Sequence, residues 1–448
     1  MAIEDNEHQY HFAPSHHHHM RIHWHSFAQA DEPITQASLT ARAAIVGRIG
    51  FMMLGCGTGA WRVRAAMDTV ARSLKLTCAA DVGLTSLEYT CFEQGHHYSQ
   101  TLSLSASGVN TDKLTILEKF VDRFATDCLT LPAHTIHDRL DAIAAKPGNF
   151  SALQVGLASA LACAAFIFLL GGGPIEMVCC FFGAGVGNYI RRLMGQHKMT
   201  VIASTAVSVA AACVVYLVVF RVLGLVMPLA RAHEAGYIGA MLFVIPGFPF
   251  ITSGLDIAKQ DMRSGLERGT FAIMVILVAT LTGWVVAMLV HLQPQNFLPL
   301  GLTPVALALL RLAASWCGVF GFSIMFNSPV KMSAIAGIIG ALANTTRLEL
   351  AGAGMPAAAA AFLGALLAGL LASPLNKRLG YPRISLTVPA IVIMVPGLYM
   401  YRAMFNLGLD SFGVGASWMV RAVLMVLALP LGLAAARILT DKSWRHIG

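Results

Sequence analysis

Residues 242–250 read LFVIPGFPF, and a Pro-Gly pair sits in the middle of what is otherwise an apolar run. Proline lacks the backbone N–H and clashes with the turn before it, so Pro246-Gly247 should interrupt the helix that carries it. Backbone groups freed in this way inside a bilayer are tolerated only against protein or a water-lined cavity. A second such stretch, IVIMVPGLYMY at 391–401, places Pro396-Gly397 150 residues further on. Corresponding interruptions in two apolar segments are the pattern of a solute site built at discontinuous membrane helices.

The chain around them has 448 residues, 56% hydrophobic and 12% charged, with a mean hydropathy of +0.66. Soluble domains carry roughly 25% charged residues, so this is a membrane protein. At about 20 apolar residues per crossing, spans are expected at about 152–171, 174–190, 200–222, 236–254, 269–290, 304–326, 329–346, 356–373, 384–404 and 417–437.

GGGPIEMVCCFFGAGVGNYIRRLM (171–194) parallels FNSPVKMSAIAGIIGALANTTRLE (326–349), through Pro174 with Pro329, Met177 with Met332, Asn188 with Asn344 and Arg191 with Arg347. Glu176 and Lys331 then stand at equivalent positions with opposite charge. With the two Pro-Gly pairs, a five-helix unit occurs twice, and an odd number of spans turns the second copy over. The expected fold is a polytopic α-helical membrane protein of about ten transmembrane helices in an inverted 5+5 repeat, preceded by a small α+β cytoplasmic domain. The boundaries read 1–35 for a disordered His-rich tail, 36–150 for the cytoplasmic domain, 151–292 for repeat one and 293–448 for repeat two.

The net charge of +8 follows this topology. With the N-terminal domain inside, the inner loops hold Arg191, Arg192, Lys198, Lys259, Arg263, Arg268 and Lys331 with the 377–383 and 437–445 clusters. The outer loops hold Arg221, Arg231, Arg311, Arg347, Arg402 and Arg421. The positive-inside rule puts both termini in the cytoplasm. The expected partners are the lipid bilayer and a small-molecule substrate, with no nucleic acid; a homo-oligomer is left open. The nine cysteines are odd in number and several fall in apolar segments, so they read as small hydrophobes and not as a disulfide framework or metal site. The polar, acidic start MAIEDNEHQYHF lacks the features of a cleavable signal peptide.

Ionisable groups in the spans are few, namely Glu176, Asp256, Lys331 and Glu349, all near span ends. Such groups are functional candidates, with snorkelling to the interface as the alternative. Asp256 follows the Pro-Gly break and opens the polar run DIAKQDMRSGLERG. The candidate substrate-binding residues are Pro246, Gly247, Thr252, Ser253, Pro396, Gly397, Asn188 and Asn344, and the candidate proton carriers are Asp256 and Glu176.

In the N-terminal domain the pattern predicts helices at 37–54, 58–74, 112–128 and 133–145, with strands around 77–82, 85–92 and 97–106. Between the first two helices lies LGCGTG (54–59), which looks like a nucleoside-cofactor loop. Such a loop must end a buried strand and open a helix. The preceding ASLTARAAIVGRIGFMML suits an amphipathic helix instead, so the string reads as a helix-to-helix turn with Thr58 as the next N-cap. No cofactor, catalytic residue or metal site is expected. EHQYHFAPSHHHHMRIHWH (7–25) carries eight histidines and reads as a disordered tail, with metal binding as the alternative.

GTGAWRV, AAMDTVARSLKL, TDKLTILEKFVDRF, PIEMVCCFFGAGVGNYIRR, IPGFPFITSGLDIAKQDMRSGLERG and VPAIVIMVPGLYMYRA occur in this order. From about residue 40 to the C-terminus the chain resembles the threonine/serine exporter family. The most specific pieces are Gly57, Arg62 and Val63, then Pro246, Gly247, Gly254, Asp256, Ser264, Gly265 and Arg268, then Pro389, Pro396 and Gly397. Arg64 departs from the pattern, which has an acidic residue after Arg-Val. The resemblance implies a multi-pass protein of the bacterial inner membrane that exports small polar solutes, threonine or serine first, driven by the proton motive force. Related two-subunit proteins imply the alternative of a small dicarboxylate such as succinate. An alternative of another class is a membrane-tethered enzyme using the Gly55–Gly59 loop. A third, metal-ion transport, lacks His, Cys or carboxylate clusters in the spans.

Overall fold

The computed structural model describes residues 22–27, 31–228, 230–292 and 295–445. Most of the His-rich stretch, expected as a disordered tail, therefore lies outside the described residues.

The N-terminal domain contains α1 (Leu39–Gly55), α2 (Ala60–Ser73), β1 (Thr77–Val82), β2 (Ser86–Glu93), β3 (His96–Ser103), α3 (Thr111–Asp122), α4 (Phe124–Asp127) and α5 (Ala133–Ala145). The strands form an antiparallel sheet in the order β1-β2-β3, with Thr77 opposite Phe92 and Glu93 opposite His96. Ser38 and Asn110 cap α1 and α3 through Ala41 N–H and Lys113 N–H.

The first helix is central and not amphipathic, for every residue from Ala41 to Gly50 is buried. Val63, Met67 and Val70 of α2 and Leu87 and Tyr89 of β2 are buried in the same core. Gly47 and Gly50 admit Tyr89 and Met67, where an added Cβ would lie 2.2 and 2.4 Å from those side chains. Arg42 and Arg48 are buried, and each reaches out to a carboxylate nearer the surface, Glu93 and Asp141. Ile34 is also fully buried and its N–H donates to the Leu131 carbonyl at 2.8 Å, so the packed domain starts before residue 36.

The rest of the chain is helical: α6 (Ala152–Leu169), α7 (Pro174–Gln196), α8 (Val201–Gly224), α9 (Tyr237–Ala240), α10 (Gly247–Ala258), α11 (Met262–Leu289), α12 (Pro304–Met325), α13 (Val330–Gly352), α14 (Ala357–Leu379), α15 (Arg383–Val392), α16 (Gly397–Gly408) and α17 (Phe412–Thr440). Six described helices are long and apolar enough to cross a membrane, or up to eight if each of two bent pairs is one span. Both α7 and α13 have 23 residues but carry charges near their ends and are not among them. The bent pairs are His233–Val244 with α10, at 55°, and α15 with α16, at 48°. Each bend falls at the Pro-Gly pair, as proline chemistry requires.

Local backbone geometry recurs along the membrane part. Before α7, Gly171 and Gly172 N–H donate to Phe168 and Ile167 carbonyls, both at 2.9 Å; before α13, Asn327 and Ser328 donate to Ile324 and Ser323 at 2.9 and 3.1 Å. Gly171 and Asn327 both take left-handed backbone, at φ 103° and 61°. The shift from Gly171 to Asn327 is 156 residues, one more than the alignment through Pro174 and Pro329. Glu176 thus stands opposite Met332 and not Lys331, whereas Asn188 with Asn344 and Arg191 with Arg347 keep register. At the breaks the shift is 150 residues: Pro246 has φ −79° and ψ 58°, Pro396 has φ −82° and ψ 55°, and each opens a 12-residue helix.

The two breaks pack on each other. A Cβ on Gly247 would lie 3.0 Å from Val392, and one on Gly397 would lie 1.9 Å from Ile245 and 2.9 Å from Leu242. Leu242 and Val392 are themselves equivalent at the 150-residue shift. Each glycine therefore admits the chain just before the other half's break.

Candidate functional site

The structure brings Pro246, Gly247, Pro396 and Gly397 together, in surroundings where all of residues 237–244 and 384–395 are buried. Tyr237 of α9 and Tyr401 of α16 join hydroxyl to hydroxyl across the halves, with ring centroids 5.6 Å apart. The other four candidate substrate ligands turn to their own neighbours. Thr252 Oγ1 donates to the Phe248 carbonyl at 3.0 Å and Ser253 Oγ to the Gly265 carbonyl at 2.6 Å. Asn188 Nδ2 donates to the Val155 carbonyl at 3.2 Å; Asn344 Nδ2 donates to Ser315 Oγ at 2.8 Å, and its Oδ1 accepts from Arg347 Nε at 2.9 Å.

Asp256 is fully buried where α10 meets α11, and it faces the N-terminal domain. Its Oδ1 accepts from Ala60 N–H at 3.0 Å and its Oδ2 from Ser264 Oγ at 2.9 Å. Arg268 Nε lies 3.2 Å from Oδ2, and the terminal nitrogens of Arg268 donate to the Gly57 and Thr58 carbonyls at 3.4 and 2.8 Å. The N-cap of α2 is Gly59 and not Thr58, and it has no capping side chain of its own. Asp256, 196 residues away, supplies that acceptor. A Cβ at Gly59 would lie 2.5 Å from Asp256 Oδ1, and Gly57 takes φ +81°. The GCGTG string is thus the socket that receives a carboxylate and a guanidinium from the membrane part.

The glycine string joins α1 to α2 and ends no strand, and the Gly57 and Thr58 carbonyls accept from Arg268. Burial pushes the Cys56 thiol up to about 12, with Lys113 opposing, which disfavours its thiolate. Other contacts extend the dock. Arg64, the departure from the family pattern, pairs with Asp261. Leu84 N–H donates to Glu267 Oε2 at 2.6 Å, and Arg263 pairs with Asp81. On the far side Thr111 N–H donates to the Phe326 carbonyl at 3.1 Å, and Asn149 N–H to Asn327 Oδ1 at 2.8 Å. Arg62 pairs with Glu118 inside the domain, and buried Val63 belongs to its core.

Glu176 has a different setting. It is 1% exposed; its Oε2 accepts from Gly173 N–H at 2.9 Å and its Oε1 lies 2.7 Å from His233 Nδ1. Tyr216 OH donates to the His233 carbonyl at 2.6 Å. This is a carboxylate–imidazole pair beside the broken segment His233–Val244. Among the described residues one His/carboxylate group is close enough to share a metal, His25 with Asp138 and Asp141, all exposed.

Sequence reasoning missed Arg268 as the partner of Asp256, and it missed His233, Tyr237 and Tyr401. Arg268 was legible as charge in the run after Asp256, since a buried carboxylate demands a cation. The tyrosines carried no signal, because a tyrosine in an apolar run looks like packing.

A family described as "Putative threonine/serine exporter" matches residues 44–291, and one described as "Threonine/Serine exporter, ThrE" matches residues 311–439. A probable threonine/serine exporter of Mycobacterium tuberculosis is 22% identical over 407 residues, covering 88% of this chain and 75% of that protein. A probable succinate transporter subunit YjjP of Escherichia coli is 24% identical over 251 residues, covering 53% of this chain and 90% of its own. An uncharacterized protein of Haemophilus influenzae is 32% identical over 171 residues, 34% of this chain and 57% of its own. No solved structure matches. These likenesses point to a multi-pass membrane transporter and not to an enzyme.

Proposed function

Because the chain belongs to the threonine/serine exporter family, we propose that it is a secondary exporter of threonine or serine, driven by the proton motive force across a bacterial inner membrane. The observation that carries this reading is the packing of the two Pro-Gly breaks against each other. Half-helices that start at such breaks present N–H groups and the positive end of a helix dipole to a carboxylate. Rocking one half against the other would open that site to alternate faces.

The same reading takes the membrane part as ten spans in an inverted 5+5 repeat, with α7 and α13 included. In its support, the turn before α13 and the α10–α11 joint touch the N-terminal domain, whereas their counterparts pack elsewhere, Gly171 near Phe297 and Gly408 against Trp284. Trp61 and Trp444 are in edge contact at 5.5 Å. That contact supports an N-terminal domain and a C-terminus on one side, the cytoplasmic one by charge distribution.

Of the two expected proton carriers, Glu176 with His233 is the better fitted. It is a buried titratable pair beside a broken helix, while Asp256 is committed to Arg268 and α2. Export of a small dicarboxylate is the second reading, supported by the likeness to the YjjP subunits. In inside-out vesicles an imposed pH gradient should drive uptake of labelled threonine, and Glu176→Gln should remove the gradient dependence. Uptake of succinate in preference to threonine would replace the first reading with the second.

A further inference from the structure

The N-terminal domain and the membrane helices enclose a cleft of about 620 Å³ between α2 and α3 on one side and the ends of α14, α15 and α17 on the other. Its size is within the range of small-molecule sites. Two arginines of the membrane part line it, Arg383 and Arg437, only 7% and 5% exposed. Taking a guanidinium out of water costs several kcal/mol unless an anion and hydrogen bonds offset it. Among the described residues neither is within salt-bridge distance of a carboxylate, although Asp441 lies in electrostatic range of both, and Arg383 Nε and Arg437 Nη2 have no hydrogen-bond partner.

Both side chains are held in place. Arg383 donates to the Gly369 carbonyl at 2.7 Å and to Thr440 Oγ1 at 2.8 Å. The Arg437 guanidinium lies against both indoles of the Trp61–Trp444 pair, 5.0 Å from the Trp61 ring and 5.1 Å from the Trp444 ring. Positioned, weakly hydrated guanidiniums with unused donors are suited to a carboxylate.

The remaining lining decides which carboxylate. Asp441, Asp122 and Lys442 line the same cleft, and Glu118 lines it while paired with Arg62. Asp441 accepts from Ser443 N–H and Oγ on a single oxygen, Oδ1. Asp441 lies in electrostatic range of both Arg383 and Arg437, which matches an ammonium beside a carboxylate, whereas a second carboxylate placed at Asp441 would face like charge. Thr69 and Thr440 also line it, their hydroxyls donating to the Ala65 and Ala436 carbonyls and keeping acceptor capacity for a polar side chain.

We propose that this cleft between the cytoplasmic domain and the membrane bundle is a binding site for a small zwitterion, an α-amino acid with a polar side chain. Arg383 and Arg437 hold the carboxylate and Asp441 the ammonium. Its role as the loading site for export rests on the exporter reading; the binding itself does not.

The test uses the full chain in lipid nanodiscs, with threonine and succinate titrated by calorimetry. Threonine should bind at least about tenfold more tightly than succinate, and Arg437→Gln should weaken it about tenfold or more, the value of one charged hydrogen bond. Asp441→Asn, at a partly exposed position after α17, should weaken threonine but leave or improve succinate. It keeps the test decisive if Arg437→Gln fails to fold. Succinate binding as tight as threonine, or threonine binding untouched by either variant, would overturn the proposal. A wild-type protein that binds threonine in this way but moves none across vesicles would sink the exporter reading and leave the cleft standing. One that moves threonine while the variants bind normally would do the reverse.

Discussion

Gln260 in the joint between α10 and α11 and Asp410 in the joint between α16 and α17 both take left-handed backbone, at φ 63° and 57°. The next residues follow suit: Asp261 has φ −80° and ψ 63°, Ser411 has φ −83° and ψ 59°. Asp261 N–H returns to the Asp256 carbonyl and Ser411 N–H to the Asn406 carbonyl, both at 2.9 Å. The side chains nevertheless diverge. Asp256, Ser264 and Arg268 of the first joint correspond to Asn406, Val414 and Trp418 of the second. Where the first joint has a buried ion pair gripping the glycine socket, the second has Asn406 bonded to the Arg402 carbonyl at 2.8 Å and Trp418 under the guanidiniums of Arg402 and Arg421. A tight turn between two helices has few backbone solutions, so the shape repeats. The side chains answer to whatever covers each joint, and a folded domain covers only the first.

The sharpest way to break this comparison is to remove the carboxylate from the first joint. Asp256→Ala leaves Arg268 buried without its counter-ion and Ala60 N–H without its acceptor, and should cost about 3–5 kcal/mol. Asn406→Ala, its counterpart, should cost no more than about 1 kcal/mol. Thermal unfolding in detergent and the rate of tryptic cleavage after Lys146 would report both. Equal effects at the two joints would contradict a docking role specific to the first.

The second test reaches the dock through the domain that forms it. Arg48 Nη1 donates to His137 Nδ1 at 3.1 Å, an arrangement that needs a neutral ring. Burial, with the charges of Arg48 and His25, pushes the His137 pKa down to about 4 from 6.5. The unfolded chain therefore binds a proton below pH 6.5 that the folded domain refuses until about pH 4. Stability should fall as pH falls through this window, by up to about 3 kcal/mol. Unfolding curves taken across that range should show it, with tryptic release of the domain rising in parallel. A domain equally stable at both ends of the window would contradict the neutral, buried ring.

The mildest test compares the two breaks. Gly397→Ala drives a methyl into Ile245 and Leu242 and should cost about 1–3 kcal/mol. Gly247→Ala meets Val392 at a distance of 3.0 Å and should cost less. Melting temperatures would rank them, and the reverse order would mean that the breaks do not interlock as described.

Much of this was legible in the residues. Pro246-Gly247 and Pro396-Gly397 announced the bends because proline's missing donor is a local fact, and the helix-to-helix character of GCGTG followed from the apolar residues before it. The likeness of 171–194 to 326–349 was visible too, and local turn geometry recurs there, but the hydrogen bonds before α7 and α13 recur at a shift of 156 residues and not at the 155 of Pro174 and Pro329. Asp256 stood out in the sequence as a candidate proton carrier, but its partners were not legible there, since they lie 12 residues ahead in Arg268 and 196 residues behind in Ala60.

By itself the sequence determined the membrane class, the place of the breaks and the family, all of which rest on composition, short-range backbone chemistry and ordered motifs. Only the tertiary structure decided which groups meet: that Asp256 caps a helix of another domain, that Glu176 pairs with His233, and that Arg383 and Arg437 line a cleft under Trp61. The physical reason is that a buried charge is stabilised by whichever counter-charge the fold brings within a few ångströms, and that distance in space is not written in spacing along the chain.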